Sequence, residues 1–183
     1  EEIISTGTIT DNDVLNKYQL EVDSPSLVEP DSSSRVVAFK LTLDQPVKDN
    51  ISIFYETLDT GSAKSGDDFV NTASSVLFKK GQQSATVNIT VNGDTDVEVD
   101  ETIQIKFSGE NLKKEYIASA VIKNNDIQGT SESDILLGTV VNDYIIGKGG
   151  SDIIDGGDGI DTASYTGLFN DYEFERTPST LKI

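Results

Sequence analysis

The sequence holds no cysteine, histidine, methionine or tryptophan. Disulfides, thiolate and imidazole metal sites, cysteine nucleophiles and Ser-His-Asp triads are all excluded by that absence. A bound metal would have only oxygen to bind, which selects hard cations such as Ca²⁺ or Mg²⁺ over Zn²⁺ or Cu²⁺. Basic residues are scarce too: 14 Lys and Arg stand against 32 Asp and Glu, a formal net charge of −18. Nucleic acid and anionic membranes both require a basic face, so neither is an expected partner. No apolar run reaches the length of a transmembrane helix and no signal peptide is visible, so membrane insertion is not expected. The chain opens on Glu1 rather than methionine and reads as an excerpt from a longer protein.

What is present is strand periodicity. Val37, Phe39, Leu41 and Leu43 alternate with polar or smaller residues, as do Ile51, Ile53 and Tyr55. Val76 and Phe78 lead to a Lys-Gly turn at 80–81, and Ala85, Val87, Ile89 and Val91 follow. Ile103, Ile105 and Phe107, then Ala118, Ala120 and Ile122, complete the series. Period-two alternation buries one face and solvates the other. Repeated strands of this kind, separated by turn signals, predict an antiparallel sandwich over residues 14–126.

At Gly129 the period changes from two to nine. The units are GTSESDILL (129–137), GTVVNDYII (138–146), GKGGSDIID (147–155) and GGDGIDTAS (156–164). Each begins with Gly, has Asp at position six (Asp134, Asp143, Asp152, Asp161) and a small or apolar residue at position eight (Leu136, Ile145, Ile154, Ala163). The physical reading is a three-residue strand whose position-eight side chain points inward, followed by a tight turn. Glycine permits the turn's backbone angles. Turn carbonyls and the position-six Asp then face a hard cation. Strands stack as a parallel roll with turns alternating between its sides. Asp134 and Asp152 are therefore expected to share one ion, and Asp143 and Asp161 another. A flexible Gly/Asp linker would not hold an apolar residue at a fixed ninth position.

These units resemble the repeats-in-toxin nonapeptide GGxGxDxUx, a calcium-binding motif. The last two units are close to the consensus. The first two depart from it at Ser131-Glu132 and Val140-Val141. The resemblance implies carbonyl ligands at positions one and three of one turn and two and four of its neighbour. Those are Gly129, Ser131, Lys148 and Gly150 for the first pair, and Gly138, Val140, Gly157 and Gly159 for the second. Residues 127–164 are expected to form the roll. Residues 165–183, in which Tyr172 and Phe174 alternate, are expected to form a small, incomplete β-hairpin cap.

A second acidic feature lies inside the sandwich. NGDTDVEVDE (92–101) carries Asp94, Asp96, Glu98, Asp100 and Glu101, five carboxylates in eight residues. Taken alone, they fit a solvated acidic turn and a metal site equally well. The surrounding residues resemble the Calx-beta domain. The shared features are a Glu after the first strand (SLVEPD), an acid followed by Gly and Ala (LDTGSA), a small residue with Asp and an aromatic (SGDDF), and a closing acidic run (KNND, 123–126). The resemblance spans about 18–126. It also makes GTITDND (7–13) similar to the closing strand of a preceding copy, with 1–13 read as that strand or a linker.

Carried over by position, the resemblance implies carboxylate ligands at Glu29, Asp59, Asp94, Glu98, Glu101 and Asp126, with Asp96 offering its carbonyl. Asp67 and Asp68 fit the motif as structural residues. Asn124 stands where the family has Asp, and Thr60 is inserted in the Asp59 loop. Both departures imply fewer or weaker ions.

The expectation is therefore an all-β chain, a Calx-beta sandwich followed by a short parallel β-roll, with Ca²⁺ as its cofactor and no catalytic role. Paired carboxylates cleave glycosides in other proteins, but no aromatic platform accompanies these. The two resemblances together imply a structural module of a large secreted or cell-surface bacterial protein, adhesin-like and exported by type I secretion. Its expected partners are calcium ions and the adjacent domains of its own chain. The alternatives are a module that binds a glycan or protein ligand, and a non-catalytic appendage of a secreted hydrolase or toxin.

Overall fold

The computed structural model describes residues 17–166 and the backbone of two short strands beyond them. The expectations for residues 1–13, and for Tyr172 and Phe174 in the cap, lie outside the described residues.

Eight strands make the first unit: β1 (Leu20–Val22), β2 (Ser26–Val28), β3 (Ser34–Leu43), β4 (Ile51–Leu58), β5 (Ala73–Phe78), β6 (Ser84–Asn92), β7 (Glu101–Ser108) and β8 (Tyr116–Lys123). They form two sheets, ordered β1-β3-β6 and β2-β8-β7-β4-β5. Every pairing is antiparallel except β2 with β8. The alternating residues do what their period requires. Phe39, Leu41, Val87, Ile89 and Val91 from one sheet are buried with Ile53, Ile103, Ile105, Phe107, Ala120 and Ile122 from the other. Each large side chain so buried contributes about 1.5–3 kcal/mol. Gly81, at φ 85°, supplies the left-handed residue that the turn between β5 and β6 requires.

This topology gathers one set of loops. Glu101 opens β7 opposite Ile122 at the close of β8, and Val28 at the close of β2 pairs with Lys123. Leu58 ends β4 beside Gln104, and Ser34 opens β3 opposite Asn92 at the end of β6. The segments 29–33, 59–72, 93–100 and 124–126 consequently emerge at the same end of the sandwich.

The chain passes without a break into the roll. Strands β9 (Ile127–Gln128), β11 (Tyr144–Ile146) and β13 (Thr162–Ser164) form one parallel sheet, and β10 (Ile135–Leu137) pairs in parallel with β12 (Ile153–Asp155) in the other. Each paired residue is 18 positions from its partner, two nonapeptides, as turns on alternating sides demand. The tail strands β14 (Glu175–Arg176) and β15 (Leu181–Lys182) pair antiparallel, and β15 also pairs antiparallel with β12.

Leu136, Ile145 and Ile154 are buried between the two sheets, with Ile127 and Tyr165 packed against them. Ala163 departs from the expectation of an inward side chain: it is exposed. β13 is the last strand of its sheet among the described residues, and Tyr165, two residues on, packs on the core in its stead.

Candidate metal centre

Glu29 follows β2 and continues its ladder, its N–H donating to the carbonyl of Lys123 at 2.9 Å. Its side chain is only 3% exposed, and Oε1 has no hydrogen-bond partner. Asp126, at the end of the segment after β8, is likewise buried with Oδ2 unpartnered, and Asn125 beside it is buried with Oδ1 unpartnered. Buried polar oxygens are ordinarily satisfied, so three together at one end of a sandwich call for a cause.

Opposite them lies the loop of residues 93–100. Asp94 accepts the N–H of Asp96 through Oδ1 at 2.7 Å, which folds the loop back on itself. Asp96 itself is exposed. Asn124 fixes the far side of the loop, donating from Nδ2 to the carbonyl of Glu98 at 2.6 Å and accepting the N–H of Asp126 at 2.7 Å. Glu98, Glu101 and Asp68 then converge, each offering a carboxylate oxygen within 4.8 Å of the other two. Calcium holds its oxygens at about 2.3–2.6 Å, so the oxygens around one ion lie no more than about 5 Å apart, a limit these three meet.

Asp68 has a second role. It is 4% exposed, accepts the N–H of Lys64 through Oδ2 at 2.6 Å, and its carbonyl accepts the N–H of Asn92. The structural part assigned to it from the sequence is therefore present, together with a place among the clustered carboxylates. The signal for that place is the adjoining Phe69, 1% exposed, which anchors this loop in the core. Asp59 is exposed and does not belong to the three-carboxylate group. Its loop lies along β7 instead, where the inserted Thr60 donates to the side-chain carbonyl of Gln104 and Ser62 bonds to Thr102.

The charge is compensated only in part, by Lys64 acting on Glu98 and Glu101. Burial, reinforced by Asp94, Glu98, Asp68 and Asp126, pushes the Glu29 carboxyl up to about 8. Burial and the hydrogen bond and charge of Asp68 push Glu101 up to about 7. Burial raises Asp126 to about 6 against the opposing bond from Tyr144, with Asp31, Asp94 and Asp143 adding to the rise. Glu98 is raised by burial and by Asp68 and Asp94. A site that disfavours ionisation of four carboxyls, and leaves buried oxygens without donors, fits a divalent cation bound by oxygen.

The sequence profile of the Calx-beta domain matches residues 11–126. The chain belongs to the Calx-beta family. Solved structures with the same fold include a CBD12 from CALX1.2, 23% identical with a TM-score of 0.51, covering 64% of this chain and 50% of that one. The apo-form Calx CBD1 domain is 22% identical with a TM-score of 0.52, covering 60% of this chain and 98% of that one. A calcium binding domain CBD12 of CALX1.1 is 23% identical with a TM-score of 0.50, covering 63% and 48%. The chain thus spans about half the length of the two CBD12 structures. No curated protein matches it. Calx-beta domains are calcium-binding modules.

Beyond the Calx-beta unit, the roll brings its acids together in the expected pairs. Asp134 donates its N–H to Asp152 Oδ1 at 3.1 Å, and Asp143 donates its own to Asp161 Oδ1 at 3.2 Å. Turn three lies on turn one through Gly149 N–H to the Thr130 carbonyl, and turn four on turn two through Asp158 N–H to the Thr139 carbonyl, both at 3.1 Å. The two halves of the roll make their turns differently. Lys148, Gly150, Gly157 and Gly159 all have positive φ, which gives the later turns left-handed residues at positions two and four. The earlier turns instead carry threonine at position two: Thr130 bonds to Asp134, and Thr139 to Asp143, each through its N–H and its Oγ1. Gly129 is buried and donates to the carbonyl of Ile146, Gly138 donates to that of Asp155, and Ser131 and Val140 are exposed. Burial raises the Asp143 carboxyl, with Asp161 and Asp31 adding and the Thr139 bonds opposing.

Proposed function

We propose that this chain is a calcium-stiffened structural segment of a large secreted or cell-surface bacterial protein, in which Ca²⁺ organises both the Calx-beta sandwich and the roll that follows. The observation that carries the reading is the set of buried, unpartnered oxygens of Glu29, Asn125 and Asp126 within a field of like charge. In the sandwich the ligands are Glu29, Asp94, Glu98, Glu101 and Asp126, with the carbonyl of Asp96 and, from the structure, Asp68. Asp59, on the exposed loop that bonds to Thr102 beside Glu101, completes the set.

In the roll, Asp134 with Asp152 and Asp143 with Asp161 each hold an ion, together with the turn carbonyls of Gly129, Ser131, Lys148, Gly150, Gly138, Val140, Gly157 and Gly159. The likeness of 129–164 to repeats-in-toxin units supports export of an unfolded chain by type I secretion, with folding where Ca²⁺ is abundant. The segment is then a non-catalytic spacer in an adhesin-like protein, and metal ions take the place that disulfides hold in other small extracellular domains.

The test is thermal unfolding of the whole chain in EDTA, in millimolar Mg²⁺ and in millimolar Ca²⁺. A rise of the melting temperature specific to Ca²⁺ is expected. Superimposable curves would show that calcium has no part in holding these acids.

A further inference from the structure

The sandwich and the roll meet at two residues whose side chains are each divided between them. Asp126 accepts the backbone N–H of Tyr144, at the start of β11, through Oδ1 at 3.1 Å. Its Oδ2 is buried and has no partner. Asn125 donates from Nδ2 to the carbonyl of Asn142 in the second roll turn, and to Asp31 Oδ1 at 2.7 Å. Its Oδ1 is also buried without a partner. Asn125 is 2% exposed and Asp126 5%. Each therefore spends one polar atom on the roll and keeps one buried at the acidic end of the sandwich, where Glu29, Asp94 and Asp126 lie close enough to act on one another's charge.

The next residue is Ile127, which pairs in register with Ile145 and packs against the roll core. β9 is thus the first strand of the roll and the continuation of the ligand segment at once. A roll with three buried apolar side chains gains too little from burial to order its own backbone, at about 1–2 kcal/mol per residue. A first strand already held in place removes part of that cost.

We propose that Asn125 and Asp126 couple the two units: a cation at the sandwich end fixes both side chains, fixes β9 and its neighbour β11 through them, and so raises the calcium affinity of the roll. This rests on the reading of the sandwich end as a calcium site. Coupling of this kind is reciprocal, so a filled roll raises the affinity of the sandwich site by the same factor.

Hydrogen–deuterium exchange of the whole chain during a Ca²⁺ titration tests it, with peptides from 94–126 and from 134–164 followed separately. Three chains are compared: the unmodified one, Glu29→Gln, and one with Gly-Ser-Gly inserted between Asp126 and Ile127. The insertion retains every carboxylate of both units and breaks only their connection. The roll of the unmodified chain should become protected at about fivefold lower Ca²⁺, or less, than the roll of either variant, while 94–126 of the insertion chain still responds to Ca²⁺. Equal roll midpoints in all three chains would overturn the coupling, and so would a shift confined to the insertion chain, which would trace it to chain geometry instead of the ion. A 94–126 segment indifferent to Ca²⁺ in the unmodified chain would instead remove the underlying calcium reading, and the coupling with it.

Discussion

Asn124 donates from Nδ2 to the carbonyl of Glu98 at 2.6 Å, a bond that an aspartate at the same position cannot make. The amide thus holds the acidic loop to the end of β8 without adding a further charge. Asn124→Asp should lower the melting temperature in EDTA, because it removes the donor and adds a carboxylate to a crowded field. A loss of about 1–3 kcal/mol is expected. Saturating Ca²⁺ should narrow the difference between the two proteins, since the added charge then has a counter-ion. Paired melting curves with and without Ca²⁺ measure both effects.

The raised carboxyls make the calcium-free protein sensitive to pH in a defined direction. Glu29 has its folded value near 8 and Glu101 near 7, both above the ordinary 4.5. Between those limits the folded chain binds more protons than the unfolded one, so its stability falls as pH rises. Melting temperature in EDTA should therefore increase as pH is lowered from about 8 toward 5. With Ca²⁺ present the sign reverses, because protons compete with the ion for the same oxygens. A calcium-free profile that climbs with pH would contradict the arrangement of Glu29 among its neighbours.

Ile145 is fully buried and sits centrally in the roll, paired with both Ile127 and Ala163. Ile145→Ala should cost about 2–5 kcal/mol of roll stability. Since Phe39, Ile89, Ile105 and Phe107 form a separate core, exchange protection in β3, β6 and β7 should persist while that in β10–β13 is lost. Uniform loss through the whole chain would show that the two cores unfold as one.

Calcium removal should open the roll selectively. Limited proteolysis in EDTA is expected to move cleavage into 129–164, and Asp152→Ala should produce the same cuts with Ca²⁺ present. Asp152 is 2% exposed and accepts the N–H of Asp134, so its loss orphans a turn amide as well as removing a charge. Protection of 129–164 that is indifferent to EDTA would leave calcium without a part in this unit.

The sandwich was legible because its period-two residues carry their own burial: Val37 through Ile122 alternate in the sequence as they do in the sheets. The pairing of turns two apart followed equally from the nine-residue spacing. Less legible were features that depend on partners far along the chain. Ile127 occupies position eight of a nonapeptide frame, nine residues before Leu136, yet no glycine announces that unit, so the first roll strand is hidden in the end of the sandwich. Ala163 keeps the period but finds itself on the last described strand of its sheet, where a methyl group has little to cover it. Asp68 could be recognised as a loop-former, but its approach to Glu98 and Glu101 is set by the anchoring of Phe69. Thr130 and Thr139 stand at position two of the less regular turns, and their hydroxyl bonds to Asp134 and Asp143 follow from the folded turn, not from the spacing.

The docking of β15 on β12 gives the roll a parity. Each nonapeptide strand lies on the flank opposite its predecessor, so the tail meets the flank of turns one and three, in the place where a fifth turn would continue it. Insertion or deletion of one nonapeptide would present the tail with the other flank, that of β9, β11 and β13. Insertion or deletion of two would restore the original partner and only change the length. Rolls of this design can therefore lengthen or shorten by pairs of turns while keeping one closing segment, and a change by a single turn would require a different one.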